Sequence, residues 1–325
     1  MSMIEDSPEA ALRWHAAGEG AVLATVIETW GSAPRRVGAQ LAISGAGDMV
    51  GSVSGGCVEG AVVVEALEAL ETGAARVLEY GVSDADAFAV GLACGGTIRV
   101  LVDPVGSAMP ADILQALVAK RAARVPVACV ADLETGARSL ESTGHDARMR
   151  ADRSGFDAEN PSRFIAVHNA PLRLVVVGAV HIAQALVPMA RLAGYDPFVI
   201  DPRAAFASPA RFPDTSLSHD WPDAAVDAIG LDARTGLVLL THDPKLDDPA
   251  LVLGLRSEAF YIGALGSTRT HAKRVARLQE AGFSDAEIGR IHAPVGLDIG
   301  SVNPAEIAVS ILAQMTKVLR KTGAD

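Results

Sequence analysis

From residue 172 onward, short apolar runs alternate with stretches of helical period, and this alternation constrains the fold more than any other feature. LRLVVVG (172–178), PFVID (197–201), GLVLLT (236–241) and AFYIGAL (259–265) read as buried strands. Helices are expected over 181–193, around 222–230, over 248–256 and over 267–281. Several helix ends carry their own signals. Gly194 closes the first helix, Ser284 and Glu287 form a capping box, and Asn303-Pro304-Ala305-Glu306 opens the last. Pro188, inside the first helix, should kink it or cost about 3 kcal/mol. Strands and helices in this order dictate an α/β fold with a doubly wound, mostly parallel sheet.

The first half is patterned differently. Ser7-Pro8-Glu9 opens a helix, and AVLATVIET (21–29), AQLAIS (39–44) and MVGSVS (49–54) are β-rich pieces joined by tight turns, which implies antiparallel pairing. A helix follows over AVVVEALEALET and stops at Gly73; TIRVLVDP (97–104) is a strand, 110–122 a helix, and 125–141 a hairpin turning at Thr135-Gly136. Residues 141–162 are polar and read as an exposed excursion. The expected organisation is an α+β domain over 1–168 and a Rossmann-like domain over 169–325, as suits 325 residues at about 150 per domain.

Composition narrows the function. A formal charge of −11 argues against nucleic-acid binding, and with 4% aromatics there is little to stack bases on. The acidic N-terminal stretch is unlike a secretory signal, and no apolar run is long enough to predict a membrane span. Three cysteines without a CxxC pair argue against a disulfide framework or structural zinc site, and suit a cytoplasmic protein.

Three groups of residues carry candidate chemistry. Gly178-Ala179-Val180-His181 follows a strand and opens a helix, the context of a dinucleotide-binding turn, in which backbone N–H groups face a pyrophosphate. Gly178, Ala179 and His181 are therefore candidate ligand contacts, although Val180 stands where the fingerprint wants glycine. Asp201 ends the next strand, where an acid usually holds a ribose hydroxyl, and Arg203 could meet a phosphate. Thr241-His242-Asp243 and the turn from Gly263 through Ser267 to Arg269 lie at the carboxyl ends of the third and fourth strands, the binding edge of such sheets. Thr241 and Ser267 also read as plain helix caps, and the domain as one that binds no nucleotide. In the first half, Gly55-Gly56-Cys57 precedes a helix whose dipole favours thiolate; Cys57 could ligate a soft metal or carry sulfur, with Glu59 favouring the helix start. The loop's N–H groups could hold an oxyanion. Cys94 and Gly95 form a second small-residue turn, and for either cysteine the alternative is a buried small residue. Cys129, in VPVACV, reads as core.

GSAPRRVGAQLAIS, GSVSGGCVEG and LACGGTIRVLVDP resemble the amino-terminal domain of the XdhC/CoxI family, and LVVVGAVHIAQAL, VIDPR, LLTHDPKLDDPAL, YIGALGSTRTHAKRVARL and HAPVGLDIGSVNPAEIAVSIL its Rossmann domain. The resemblance implies a chaperone for molybdenum hydroxylases such as xanthine dehydrogenase or carbon monoxide dehydrogenase, rather than an enzyme. Such a protein binds molybdenum cofactor (molybdopterin or its dinucleotide), guards its sulfurated form and delivers it to the apo-hydroxylase, with a cysteine desulfurase as sulfur source. Cys57 matches the family's GGC motif and would contact the metal end; Cys94 matches its CGG motif. The 178–183 or 263–269 turn would hold the phosphate end. Two departures stand out: Val180 replaces a glycine, and Gln314 replaces a common acid. A homo-oligomer would shield so labile a cargo. An NAD(P)-linked oxidoreductase, with NAD(P) not favoured as ligand, and a persulfide-carrying sulfurtransferase are the alternatives.

Overall fold

The computed structural model describes residues 6–31, 35–81 and 96–321, which divide into two units, Met1–Ala170 and Pro171–Asp325. In the first, strands β1 (Ala21–Trp30), β2 (Gln40–Ser44), β3 (Met49–Gly51), β4 (Arg76–Tyr80) and β5 (Thr97–Pro104) form a sheet of order β3-β2-β1-β5-β4. All its pairs are antiparallel. Side chains alternate across a strand, so β1 feeds two cores. Val22, Ala24 and Val26 face helix α2 (Glu59–Thr72), which packs down Val62, Ala66 and Ala69. Leu23 and Ile27 join the opposite core, with Trp14 of α1 (Ser7–Ala16), Leu114 and Leu117 of α3 (Ala111–Ala122), and Phe164.

Phe164 belongs to a second antiparallel sheet of β6 (Val127–Asp132), β7 (Arg138–Glu141), β8 (Gly155–Phe156) and β9 (Arg163–His168), in the order β7-β6-β9-β8. The polar stretch 141–162 carries more structure than its composition suggests. It contains α4 (Asp146–Ala151) and β8, anchored by Met149 in a small core with Val130 and Ile165 and by an edge-to-face contact of Phe156 with Phe164.

The second unit is a six-stranded parallel sheet: β10 (Leu172–Val177), β11 (Tyr195–Ile200), β12 (Ser216–Ser218), β13 (Thr235–Leu239), β14 (Tyr261–Ala264) and β15 (Ile291–His292), in the order β12-β11-β10-β13-β14-β15. This is the doubly wound order, with its switch point between β10 and β13. Both faces are covered, so the central strands are largely apolar, whereas the edge strand β12 is polar and not buried. Leu174 and Val176 pack with α5 (His181–Leu192) and α10 (Pro304–Lys321). Val175 and Val177 pack with α6 (Pro222–Ile229), α7 (Pro244–Arg256) and α8 (Thr268–Glu280). Helix α5 runs through Pro188, whose ring faces solvent. Helix α7 starts four residues before the expected 248, because Asp243 caps it and Pro244 supplies a preset first turn. A short helix α9 (Asp285–Ile288) carries the expected capping box. Among the described residues no helix is long and apolar enough to cross a membrane.

Candidate functional site

The loop before α2 winds around one carboxylate. Glu59 is only 8% exposed. Its Oε1 accepts hydrogen bonds from Ser52 Oγ (2.7 Å) and the amides of Val53 (3.2 Å), Ser54 (2.9 Å) and Gly55 (3.1 Å). Its Oε2 accepts from the Ser54 hydroxyl and from Gly56 N (2.9 Å). Burial alone would raise the Glu59 pKa, but the two serine hydroxyls and the amides hold it down to about 2. Gly55 and Gly56 turn the chain through φ +83° and +117°, a region open to glycine. The sequence suggested that these N–H groups hold an outside oxyanion; those of residues 53–56 point at the chain's own Glu59. The loop thereby fixes Cys57, whose N–H donates to Ser54 Oγ at 3.0 Å and whose half-buried side chain borders the α2 core. Cys94 and Gly95 lie outside the described residues. Cys129 is core, its thiol pushed up to about 12 by burial and then by nearby Asp103.

In the second unit, Gly178 (φ +107°) is required by close approach: a Cβ there would lie 2.7 Å from Thr241 Cγ2. Val180 has extended backbone (φ −90°, ψ 179°), which a β-branched residue accepts without strain, and His181 is exposed. Asp201, 0% exposed, is fully engaged within the chain. Oδ2 accepts from Ala179 N (2.9 Å) and Arg203 Nη2 (2.7 Å), and Oδ1 from Arg203 N (3.0 Å) and Nε (2.8 Å). Each oxygen thus accepts two bonds from within the chain. Burial opposes ionisation of Asp201, yet the Arg203 and amide bonds leave its pKa below the usual value. Arg211, which sequence reasoning missed, donates from Nη1 to Ala179 O (2.9 Å) and from Nη2 to Gln184 Oε1 (2.8 Å). The turn therefore has both polar groups of Ala179 bonded internally.

The carboxyl edge beyond β13 and β14 is arranged differently. Thr241 Oγ1 donates to Asp247 Oδ1 (2.6 Å) and accepts from Asp243 N (3.1 Å), and Asp243 caps α7. Between them His242 sits at φ +62°, uncommon for a residue with a side chain. Ser267 caps α8. Gly263 lies inside β14, where a Cβ would meet Val295 and Tyr261 at 2.6 and 2.7 Å; its role is packing. Gln314 clamps α10 to this region: its Oε1 accepts from Tyr261 Oη (2.6 Å) and Gly296 N (2.9 Å), and its Nε2 donates to Gly296 O (3.2 Å). A cavity of about 200 Å³ opens beside these turns, lined by His242, Asp247, Arg269, Lys273 and Arg274 among others. Thus two predicted residues, His242 and Arg269, share one hollow with seven unpredicted ones, Asp247, Lys273 and Arg274 among them. The missed signal is the spacing in TRTHAKRVAR: residues four apart lie on one helical face. Burial raises the Asp247 pKa and lowers that of Arg274. Among the described residues, no group of three or more His, Cys, Asp or Glu could hold a metal ion.

Comparison with known proteins fits this architecture. Residues 174–315 match the XdhC Rossmann domain and residues 14–81 the XdhC and CoxI family. The chain is 33% identical over 301 residues to the molybdenum cofactor insertion chaperone PaoD of Escherichia coli K12, covering 93% of this chain and 84% of that one. The chain belongs to the XdhC/CoxI family. It is also 26% identical to a probable xanthine dehydrogenase subunit from Bacillus subtilis, covering 93% of this chain and 94% of the relative. A crystal structure described as a xanthine dehydrogenase from Bacillus halodurans superposes with a TM-score of 0.76 at 26% identity, covering 99% of this chain and 98% of that one.

Proposed function

We propose that this XdhC/CoxI protein is an accessory factor for a molybdenum hydroxylase. It binds molybdenum cofactor as cargo, guards its sulfurated form and hands it to an apo-enzyme such as xanthine dehydrogenase or carbon monoxide dehydrogenase. The observation that carries the reading is the Cys57 platform. A buried carboxylate with six hydrogen bonds fixes an exposed Gly55-Gly56 turn and sets a half-buried thiol beside it. The cargo brings its own dithiolene ligands to the metal, so a single soft thiolate is a sufficient further contact. A cysteine desulfurase supplies the sulfur, and the protein itself transforms no substrate. The engagement of Asp201 weighs against the NAD(P)-linked oxidoreductase, since a ribose hydroxyl would have to compete with four bonds from within the chain.

The test is to titrate purified wild type and Cys57→Ser with molybdenum cofactor and then add apo-hydroxylase. Wild type should bind one equivalent and restore activity, and Cys57→Ser should lose at least tenfold in affinity or transfer. No binding by wild type rejects the accessory reading, and equal behaviour of the two removes Cys57 from it. A persulfide on Cys57 after exposure to a desulfurase, seen by mass spectrometry, would favour sulfur carriage over simple ligation.

A further inference from the structure

The cavity beside α8 holds an unusual set of unanswered charges. Arg274 is 2% exposed, yet its Nε and Nη1 have no hydrogen-bond partner. Only Nη2 is engaged, donating to Leu265 O at 3.1 Å and standing 3.7 Å from Asp247 Oδ2. That oxygen is itself buried without a hydrogen-bond donor. A guanidinium taken out of water with two of its three nitrogens unsatisfied carries a large desolvation cost. Both nitrogens are shut off from solvent, so Arg274 lends its charge to the cavity it lines, and a bond from Nε or Nη1 to a bound group requires the side chain to shift.

The surrounding charges say what kind of group fits. Arg277 is held by Asp248 through two bonds of 2.5 and 3.0 Å, and so is neutralised. Arg269 and Lys273 line the same cavity, are exposed, and make no ion pair among the described residues. Four permanent cations therefore face two carboxylates, a surplus of two positive charges. The hollow runs along one flank of α8, from Arg269 in its first turn to Arg277 in its last, and the helix dipole adds positive potential only at the Arg269 end, beside the Ser267 cap. A phosphate group carries −1.5 to −2 at neutral pH and several acceptor oxygens, and one retaining a proton can donate it to Asp247. About 200 Å³ accommodates a phosphate or pyrophosphate, with room for part of what it is attached to.

We propose that this cavity is a phosphate-binding site: Arg274 forms its floor, Arg269 and Lys273 its rim, and it receives the phosphate end of the cargo. The site stands on the geometry alone, whereas its assignment to the cargo rests on the accessory reading above.

Two titrations of the full chain separate these claims. The first uses pyrophosphate at constant ionic strength, followed by calorimetry. Wild type should show saturable one-site binding. Arg269→Ala/Lys273→Ala, which alters only exposed side chains, should weaken it at least tenfold, as should Arg274→Met where that variant folds. Cys57→Ser should bind as wild type does. Absence of saturable binding by wild type, or undiminished binding by the double variant, overturns the site. The second titration uses molybdenum cofactor: the double variant should bind it at least tenfold more weakly than wild type. Equal affinity overturns the assignment to the cargo while leaving the phosphate site intact. If pyrophosphate binds as expected but wild type binds no molybdenum cofactor, the accessory reading and the assignment to the cargo both fail, and the phosphate site remains supported.

Discussion

Glu59 illustrates how one side chain can organise a loop that looks, in sequence, like a ligand cradle. Glu59→Gln keeps the shape but sets an NH₂ group against donors from residues 52–56. The loss should be about 2–3 kcal/mol, the scale of charged hydrogen bonds, read from denaturant melts. The pH dependence has a definite sign. The folded pKa of about 2 lies below the ordinary 4.5, so this carboxylate stabilises the fold fully above about pH 4.5. That contribution declines as pH falls towards 2, and the decline should be absent from melts of Glu59→Gln. The motif itself was legible: Gly55, Gly56 and Cys57 announced a tight turn ahead of a helix. What filled the turn was not, because it depends on Ser52, Ser54 and Glu59 folding back on one another over only eight residues. Asp201 taught the same lesson. Its place after a strand was readable, but its closure by Arg203 two residues on was not.

Between elements, polar clamps matter as much as apolar burial. Arg138 of β7 reaches Asp103 of β5 with bonds of 2.5 and 3.1 Å and ties the two sheets of the first unit together. Both side chains are nearly inaccessible, 1% and 5% exposed. Arg138→Met would leave a buried carboxylate alone and should cost about 3–5 kcal/mol. Adding Asp103→Asn should recover part of that loss, since an amide needs no counter-charge; equilibrium unfolding of both variants checks this. Gln314 is the corresponding clamp in the second unit. Gln314→Glu can still accept from Tyr261 and Gly296 but cannot donate to Gly296 O when ionised. A deficit of about 1–2 kcal/mol at pH 7 is expected. It should shrink below about pH 4, where a protonated carboxyl regains a donor; thermal melts across pH measure it. Helices and strands were readable from period and caps: β13 and α8 fell close to their expected places, and α7 ended where expected but began a turn early. The short β4, with only alternating half-burial to mark it, was not.

At the scale of the whole chain, each unit has its own core, and the parallel sheet follows from strand–helix alternation with little ambiguity. The two antiparallel sheets of the first unit were less legible, because long-range pairings such as β1 with β5 leave no local trace. Arg138→Met and Gln314→Glu act in different cores, so their effects should add to within about 0.5 kcal/mol in the combined variant. A larger mismatch in denaturation would reveal coupling. One property of the thiol platform reaches furthest. A clasp that lets go only near pH 2 never feels the acidity swings of a living compartment. The arm bearing Cys57 is thus held in one shape across that range, and protonation of its clasping carboxylate is no switch for it.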